Sequence, residues 1–430
     1  MKKILFTLAL LALPAVLRAQ ERPLTVDANF LTRGEARVGG LADDTDDIAD
    51  NAYFILERTL LGLRYDKAGL SAKLTAQHCG TWGTAEGGYF NVYEAWIQLT
   101  GHTGWFAKIG RQNLSYDDQR IFGSDDWAMT AMSHDALKLG YEGHGHKVHL
   151  IGAFNQNPEN MEGGTYFSGG LQPYKALEAF WYHYDIRKIN LGISALFANI
   201  GMQSGEKGEP SEKTFQQQMA GLYVSFTPNK WTAEAAYYRQ MGKEEHGLPI
   251  DAWMTSFKTS YTPGPHASFY GGYDYLSGDA YVATPGFGQM GMPRHETIRG
   301  FSSLYGSHHK FYGAMDFFYV TTYVAGFTPG LQNIYAGGKW MPNDKWTLDA
   351  AYHFLATATK LEKADRPLGH EVELSASWQF RKEAKISLGY TFMRGTETMV
   401  VLKKTSHRRQ LHWGWLMLSV TPDFLSGKRH

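Results

Sequence analysis

A histidine and a serine lie two positions apart, at His266 and Ser268, so both side chains would share one face of a β-strand. Nucleophilic catalysis by such a serine needs a base within hydrogen-bond reach and a third group that orients the base. The pair directly follows the turn-forming residues 262–265, and no convergent catalytic set stands around it. We interpret both as polar residues beside a turn, and the sequence predicts no catalytic residue.

Two further segments carry groups that bind metal ions. His144, His146 and His149 stand close together, but in a glycine-rich connection without a carboxylate or cysteine cluster beside them. The acidic residues 43–47 offer oxygen ligands, yet they lack the glycine and the terminal glutamate of an EF-hand loop. We predict a turn and a solvated surface loop respectively, with no metal site and no cofactor. Divalent bridging from residues 43–47 to lipopolysaccharide phosphates stays open as an alternative.

Charge and cysteine content exclude several classes of protein. The 42 basic residues are balanced by 42 acidic ones, so the chain lacks the basic surplus of a nucleic-acid binder. The single cysteine, Cys79, excludes a disulfide framework and zinc sites built on pairs of cysteines. Glycine (47 residues) and aromatic residues (14%) are both more frequent than in ordinary globular proteins, which favours many strands and turns.

The N-terminus has the pattern of an export signal. Lys2 and Lys3 precede an apolar run over residues 4–16, which is too short to span a bilayer as a mature helix, and Ala19 is a small residue suited to cleavage. We predict a cleaved signal peptide over residues 1–19 and a mature domain over residues 20–430. The mature chain is then either soluble after export or a β-barrel in the outer membrane.

Apolar and small polar residues alternate along many segments with the period of a β-strand, as Leu388 and Tyr390 do with Ser387 and Gly389. Large aromatic residues lie near the ends of the apolar faces, as membrane-interface girdles require, whereas a soluble sandwich favours them at strand centres. The girdle residues are Trp105, Trp231, Trp340, Trp346, Trp378, Tyr390 and Phe392. Their placement favours the barrel.

The pattern predicts eighteen strands joined by connections that alternate between short and long. The predicted strands are 24–38, 53–65, 70–79, 90–99, 105–114, 133–141, 147–155, 174–184, 190–199, 215–227, 231–240, 250–261, 266–275, 332–340, 346–355, 370–380, 385–393 and 412–421. The predicted long connections are 39–52, 80–89, 115–132, 156–173, 200–214, 241–249, 276–331, 356–369 and 394–411. Short periplasmic turns and longer extracellular loops are typical of outer-membrane barrels. We therefore predict an all-β, antiparallel, up-and-down transmembrane β-barrel of about 18 strands.

Residues 108–121 (KIGRQNLSYDDQRI), followed by Trp127 and residues 134–139, resemble the alginate export family of outer-membrane proteins. Residues 368–374 share the resemblance, and residues 304–311 look like the form found in Bacteroidetes-type members. The resemblance covers most of the mature chain and implies a barrel that passes an anionic polysaccharide through an arginine-rich lumen. The family's functional residues carry over at Arg111, Arg120 and Asp135.

The polar faces of the strands supply the other candidate pore-lining residues. They are Arg58, Arg64, Lys73, Glu94, Lys138, Lys339, Glu371 and Glu373. Basic residues concentrate on strands 2 to 6 and acidic ones on strands 13 to 16, so we expect weak ion selectivity that depends on Arg58, Arg64 and Arg111. Alternation from Trp105 points Arg111 outward, and a β-bulge near Gly110 is needed to turn it into the lumen.

We expect an integral protein of the Gram-negative outer membrane that acts as a channel or porin and is not an enzyme. Its solute would be hydrophilic, with an anionic polysaccharide or oligosaccharide as the class that the resemblance implies. Its expected partners are outer-membrane lipid, lipopolysaccharide and the barrel assembly machinery, with no nucleic acid. A barrel of this size needs loops to restrict its lumen, and we assign constriction or gating to residues 276–331. The alternative is a plugged surface barrel that serves as an adhesin or structural protein.

Overall fold

The computed structural model describes residues 23–38, 51–85, 87–124, 126–156, 161, 172–206, 209–279, 296–316, 318, 329–361, 364–403 and 410–425. The predicted signal peptide and the acidic residues 43–47 lie outside these residues. Among the described residues, no helix combines the length and apolarity needed to traverse a bilayer. These residues include one short helix, α1 (Glu397–Lys403), and 3₁₀ turns at Arg187–Ile189 and His308–Lys310.

Nearly all of the regular structure is antiparallel strand. The strands are β1 Leu24–Val38, β2 Ala52–Lys67, β3 Leu70–Thr81, β4 Tyr89–Thr100, β5 Trp105–Gln112, β6 His134–Gly143, β7 His146–Phe154, β8 Ala176–Ile186, β9 Leu191–Glu206, β10 Glu209–Phe226, β11 Trp231–Lys243, β12 Pro249–Gly264, β13 Ala267–Leu276, β14 Leu331–Asn343, β15 Trp346–Thr357, β16 Pro367–Arg381, β17 Ala384–Gly395, β18 Gln410–Val420 and β19 Asp423–Leu425. Each strand from β1 to β18 pairs with its neighbours in sequence, and β18 pairs with β1. The prediction of a closed, eighteen-stranded barrel is confirmed, with β19 as a short addition beside β1.

Two of the predicted long connections are wrong. β9 continues to Glu206 and β10 begins at Glu209, so two residues separate strands that were expected to be joined by residues 200–214. Likewise, five residues separate β11 from β12. Many of the extra strand residues are polar; Thr214, for example, lies opposite Gln203. A hydrogen-bonded ladder can extend beyond the apolar band, because pairing uses the backbone and needs no apolar side chain.

The outward and inward faces of the strands follow the alternation of apolar and polar residues predicted from the sequence. On β16, the outward Leu374 is 51% exposed, while the neighbouring Ser375 faces the lumen beside Asp349. At the short-turn end, Trp346 and Trp378 stack on the outer wall with their ring centroids 5.7 Å apart. The outer face therefore carries the apolar band and the aromatic girdle that a membrane-spanning barrel needs.

The buried core of this barrel lies inside its lumen. The described parts of two connections fold inward: loop I between β5 and β6 (residues 113–124 and 126–133), and loop II between β13 and β14 (residues 277–279, 296–316, 318, 329 and 330). They join through a β-bridge between Phe122 and Tyr305, in which the Gly123 amide donates to the Tyr305 carbonyl at 2.8 Å. Both pack on apolar side chains from the inner faces of β8 to β12. Those side chains include Leu177, Leu196, Ile200, Met219, Tyr238 and Met254.

Candidate functional site

Between the two loops and the inner faces of β11 to β16 lies a polar cavity of about 520 Å³. Its walls carry charges of both signs together with the hydroxyl groups of Ser260, Ser268 and Tyr270. The charged residues of the lining are Asp117, Asp118, Arg120, Glu234, Lys258, Asp274, Lys310, Lys339, Asp349 and Glu373. Since described parts of both loops occupy the lumen beside it, this cavity is the candidate route for a solute.

Arg120 on loop I joins both loops to the barrel wall. Its guanidinium lies 3.1 Å from a carboxylate oxygen of Asp118 and 3.1 Å from one of Asp274, and it donates to the Tyr312 hydroxyl at 2.8 Å. It also lies over the ring of Phe311, 4.0 Å from the centroid. Burial opposes its charge, but these carboxylates and the tyrosine raise the pKa of Arg120 well above its usual value. Arg120 is therefore a charged anchor of the constriction that the inward-folded parts of loops I and II form in the lumen.

Glu371 and Glu373 hold loop II through its backbone. Glu371 accepts a hydrogen bond from the Met315 amide at 3.0 Å, and Glu373 accepts one from the Ala314 amide at 2.7 Å. The preceding Gly313 has a φ of +96°, and a Cβ atom there would lie 2.8 Å from a Glu371 carboxylate oxygen. Both glutamates face inward as the sequence suggested, and they serve as acceptors for the loop.

A stacked aromatic contact connects the two loops on the other side of the lumen. The indole of Trp127, from loop I, lies between the His309 ring of loop II and the guanidinium of Arg33 from β1. The centroids of Trp127 and His309 are 4.2 Å apart, and the Arg33 guanidinium carbon is 4.1 Å from the Trp127 centroid. Cation–π contacts of this kind gain strength where the cation is desolvated, and Arg33 is buried.

Arg58 also faces inward, and it is engaged by loop I. Its guanidinium donates to the backbone carbonyl oxygens of Asp126 and Ala128, each at 3.1 Å. Arg64, nearer the short-turn end, forms an ion pair with Asp66 at 2.5 Å. The charge of Arg64 is balanced by Asp66, whereas the acceptors of Arg58 are backbone carbonyl oxygens of loop I, so Arg58 acts mainly as a tether for the loop.

Lys73 and Glu94 form an ion pair across β3 and β4, in which the indole of Trp96 also donates to Glu94 at 3.1 Å. On the acidic side of the barrel, the Lys339 ammonium lies 3.9 Å from the Asp349 carboxylate. These four charged residues face the lumen as the alternation predicted, each beside a charge of the opposite sign.

Lys108 is an inward-facing residue that the sequence reasoning missed. It lies directly opposite Lys138 in the register of β5 and β6. Lys108 stacks over Trp96 at 3.8 Å, Lys138 lies 5.9 Å from the Tyr116 ring, and neither forms an ion pair with another described residue. Like charges directly opposite each other destabilise a sheet, so this pair favours an anion in the lumen. The alternation from Trp105 could have identified Lys108.

Arg111 and Asp135 do not line the pore, and this part of the prediction is wrong. β4, β5 and β6 pair without a bulge at Gly110, so Arg111 lies on the same outward face as Ile109, which is 61% exposed. Arg111 and Asp135 form a two-pronged ion pair on the outer wall, with nitrogen–oxygen distances of 2.9 and 2.8 Å. Gly110 has a φ of +118°, and a Cβ there would collide with the Ala95 carbonyl oxygen.

The residues first considered for chemistry do not converge. His266 donates to the backbone carbonyl oxygen of Met341 at 2.8 Å, whereas Ser268 lies in the cavity wall. His146 and His149 differ in parity along β7, so they lie on opposite faces of the wall.

Lys310 of loop II gives the cavity a pH-dependent charge. Its ammonium donates to the Asp118 carbonyl oxygen at 2.8 Å. Burial lowers the pKa of Lys310, although the Asp118 carboxylate acts in the opposite direction. The positive charge should therefore be lost at a lower pH than that of an exposed lysine. If the barrel conducts ions, we expect the reversal potential in a salt gradient to move toward cation preference as the pH rises toward this pKa, and a Lys310→Gln variant to lack that step.

A search of protein families matches residues 83–399 to the alginate export family. No curated protein matches the sequence. Three solved structures from Pseudomonas aeruginosa, each 12% identical, share the fold: OccK11 (OpdR), covering 95% of this chain and 100% of that chain with a TM-score of 0.59; OccK2 (OpdF), covering 94% and 98% with 0.62; and the outer membrane protein opdK, covering 93% and 99% with 0.61. At this identity, the likeness concerns the fold alone. The family match spans more than half of the chain, and the protein is an integral outer-membrane β-barrel of the alginate export family.

Proposed function

We propose that this protein is a passive channel for small, hydrophilic, anionic solutes of the sugar-acid class, including short uronate oligosaccharides. The observation that carries the proposal is the unpaired Lys108–Lys138 pair on the lumen wall, on the short-turn side of loop I. Two lysines at paired positions on one wall attract a carboxylate, and the acidic residues of β13 to β16 stand across the barrel. Such a transverse arrangement orients a solute that has a carboxylate at one end and hydroxyl groups elsewhere.

The size of the cavity supports a small solute. Small-molecule sites commonly occupy about 300–1,000 Å³, and the cavity here measures about 520 Å³. Its hydroxyl-bearing residues Ser260, Ser268 and Tyr270 suit a polyhydroxylated ring. A long polyuronate would have to thread past both loops one unit at a time, so we favour monomers and short oligomers.

One structural neighbour adds support for this solute class. The structure of Pseudomonas aeruginosa OccK2 (OpdF) in complex with glucuronate is 12% identical to this chain and has a TM-score of 0.61 over 94% of it. Glucuronate is a sugar acid, so it carries both the carboxylate and the hydroxyl groups of the solute described above. We further propose that the mature chain comprises residues 20–430 and that lipopolysaccharide and the barrel assembly machinery are its partners.

The second candidate function, a plugged surface barrel, is favoured by the apolar core inside the lumen. Phe122, Phe301, Tyr305 and Phe318 are all buried there.

Planar-bilayer recordings separate the two functions. Discrete open steps of current support the channel, and the absence of steps at every voltage supports the plugged barrel. Concentration-dependent block of the current by glucuronate would support the solute class, and block by neutral glucose alone would contradict it.

The double variant Lys108→Gln, Lys138→Gln should shift the reversal potential in a salt gradient toward cation preference, because it removes both unpaired cations. It should also weaken block by glucuronate by about tenfold, a change equivalent to roughly 1.4 kcal/mol. Arg239→Gln is a matched control, since Arg239 lies on the outer wall in an ion pair with Asp251. An unchanged reversal potential in the double variant would remove these lysines from the conduction path.

A further inference from the structure

The two ends of loop I leave the barrel wall at the same level. β5 ends at Gln112, which lies directly opposite His134, the first residue of β6. The next pair toward the short-turn end is Arg111 and Asp135, on the outer face. The outward ion pair therefore connects the end of β5, where the chain leaves the wall for the lumen, with the start of β6, where the chain rejoins the wall.

Inside the wall, hydrogen bonds at the same place complete the connection. The Gln112 side-chain amide is fully buried and donates to the carbonyl oxygens of Ala136 at 2.9 Å and Gly110 at 3.2 Å. One residue further, Asn113 donates to the Met132 carbonyl oxygen at 3.0 Å. The base of loop I is thus held from both faces of the wall.

The outward ion pair has the geometry of a strong contact. Both carboxylate oxygens of Asp135 accept from the Arg111 guanidinium, which donates in addition to the Val92 carbonyl oxygen at 3.1 Å. Paired, charge-assisted hydrogen bonds of this kind are stronger and more directional than neutral ones. Neither residue faces the cavity, so the pair cannot contact a solute in the lumen.

We infer that Arg111 and Asp135 are positioning residues, a clasp on the outer wall that fixes the ends of loop I and thereby the constriction inside. Arg111 links β5 to both of its neighbours, because it reaches Asp135 on β6 and Val92 on β4. Without the clasp, the ends of loop I keep only their inner hydrogen bonds and the strand pairing, and the segment of loop I that lies on β2 and β3 lifts more often.

The single cysteine reports the position of that segment. Cys79 faces the lumen from β3, is 6% exposed, and donates from Sγ to the Met129 carbonyl oxygen of loop I at 2.7 Å. A thiol reagent can therefore reach Cys79 when residues near Met129 move away. This readout requires no solute passage, so it tests the clasp independently of the proposed channel function.

The experiment is labelling of Cys79 by a membrane-impermeant maleimide in refolded, full-length barrels. We expect Arg111→Leu to raise the labelling rate about tenfold, the effect of losing roughly one charged hydrogen-bonded contact. The charge-reversed double variant Arg111→Asp, Asp135→Arg should restore protection. Arg239→Leu, which breaks the outward ion pair with Asp251, should leave the rate unchanged.

Heat-dependent gel mobility identifies the preparations that contain folded barrels before labelling. Asp135→Asn provides a second variant if Arg111→Leu fails to fold. Unchanged labelling in folded barrels of both variants would overturn the clasp. Equal increases in Arg111→Leu and Arg239→Leu would also overturn it, because loosening would then be general. If the proposed channel conducts, Arg111→Leu should increase current fluctuations without shifting the reversal potential; failure to conduct would bear on the channel alone.

Discussion

Replacing Arg120 with methionine should open the constriction and raise single-channel conductance several-fold. Arg120 is 4% exposed and lies between the carboxylates of Asp118 and Asp274. Removing one partner of a buried ion pair costs about 3–5 kcal/mol, because the remaining charge is left without compensation. That cost should be relieved by water entering between the loops, since the barrel wall is held separately by its backbone ladder.

The double variant Arg120→Met, Asp274→Asn is the control for the charge left behind. Removing both charges should recover part of the lost stability of the loops, as replacing both members of a buried pair often does. Conductance and the thermal unfolding of the refolded barrels measure the two effects. A wild-type conductance in the single variant would show that the Arg120 ion pairs do not control the constriction.

Leu374→Arg should destabilise the barrel by about 2–4 kcal/mol, the cost of placing arginine on the lipid face near the bilayer midplane. Leu374 is 51% exposed on the outer wall of β16. Urea unfolding from liposomes measures the difference from wild type.

Ser375→Arg is the matched control, because Ser375 is the next residue on the same strand and faces the lumen opposite Asp349. It should be nearly neutral. Ser387 is a less suitable inward control, since it is 3% exposed and hydrogen-bonded to Ser377. Equal destabilisation by Leu374→Arg and Ser375→Arg would contradict the assigned facing, because a shift of one residue in register exchanges the two sides.

The strands were predictable because their signal is local. The alternation around Leu388 and the short turns depends on a few neighbouring positions, and an even number of strands allows the first and last strands to pair antiparallel. The polar extensions of β9 and β10 were missed because residues such as Gln203 and Thr214 pair through their backbones, which apolar periodicity does not register. Similarly, periodicity placed Arg111 outward, whereas the family resemblance suggested the lumen; the unbroken register shows that periodicity was right.

The candidate site was less predictable because its contacts join distant parts of the chain. Nothing near Arg120 in the sequence indicates Asp274, which belongs to a strand on another part of the wall. Glu371 and Glu373 were recognised as inward charges, but their role as acceptors for the backbone of loop II depends on where that loop folds. Alternation gives the direction in which a strand residue points, and it carries no information on the loop that meets it.

The core within the lumen constrains the order in which the chain can fold during and after synthesis. Phe122 of loop I emerges from the ribosome long before Tyr305 of loop II, its partner in the β-bridge. Until the second half of the chain is present, the Phe122 ring lacks its stacking partner Tyr305, and part of its apolar surface stays exposed to aggregation. Contacts so distant in sequence also slow folding. The seam between β1 and β18 then encloses an interior that neither half of the chain can build alone.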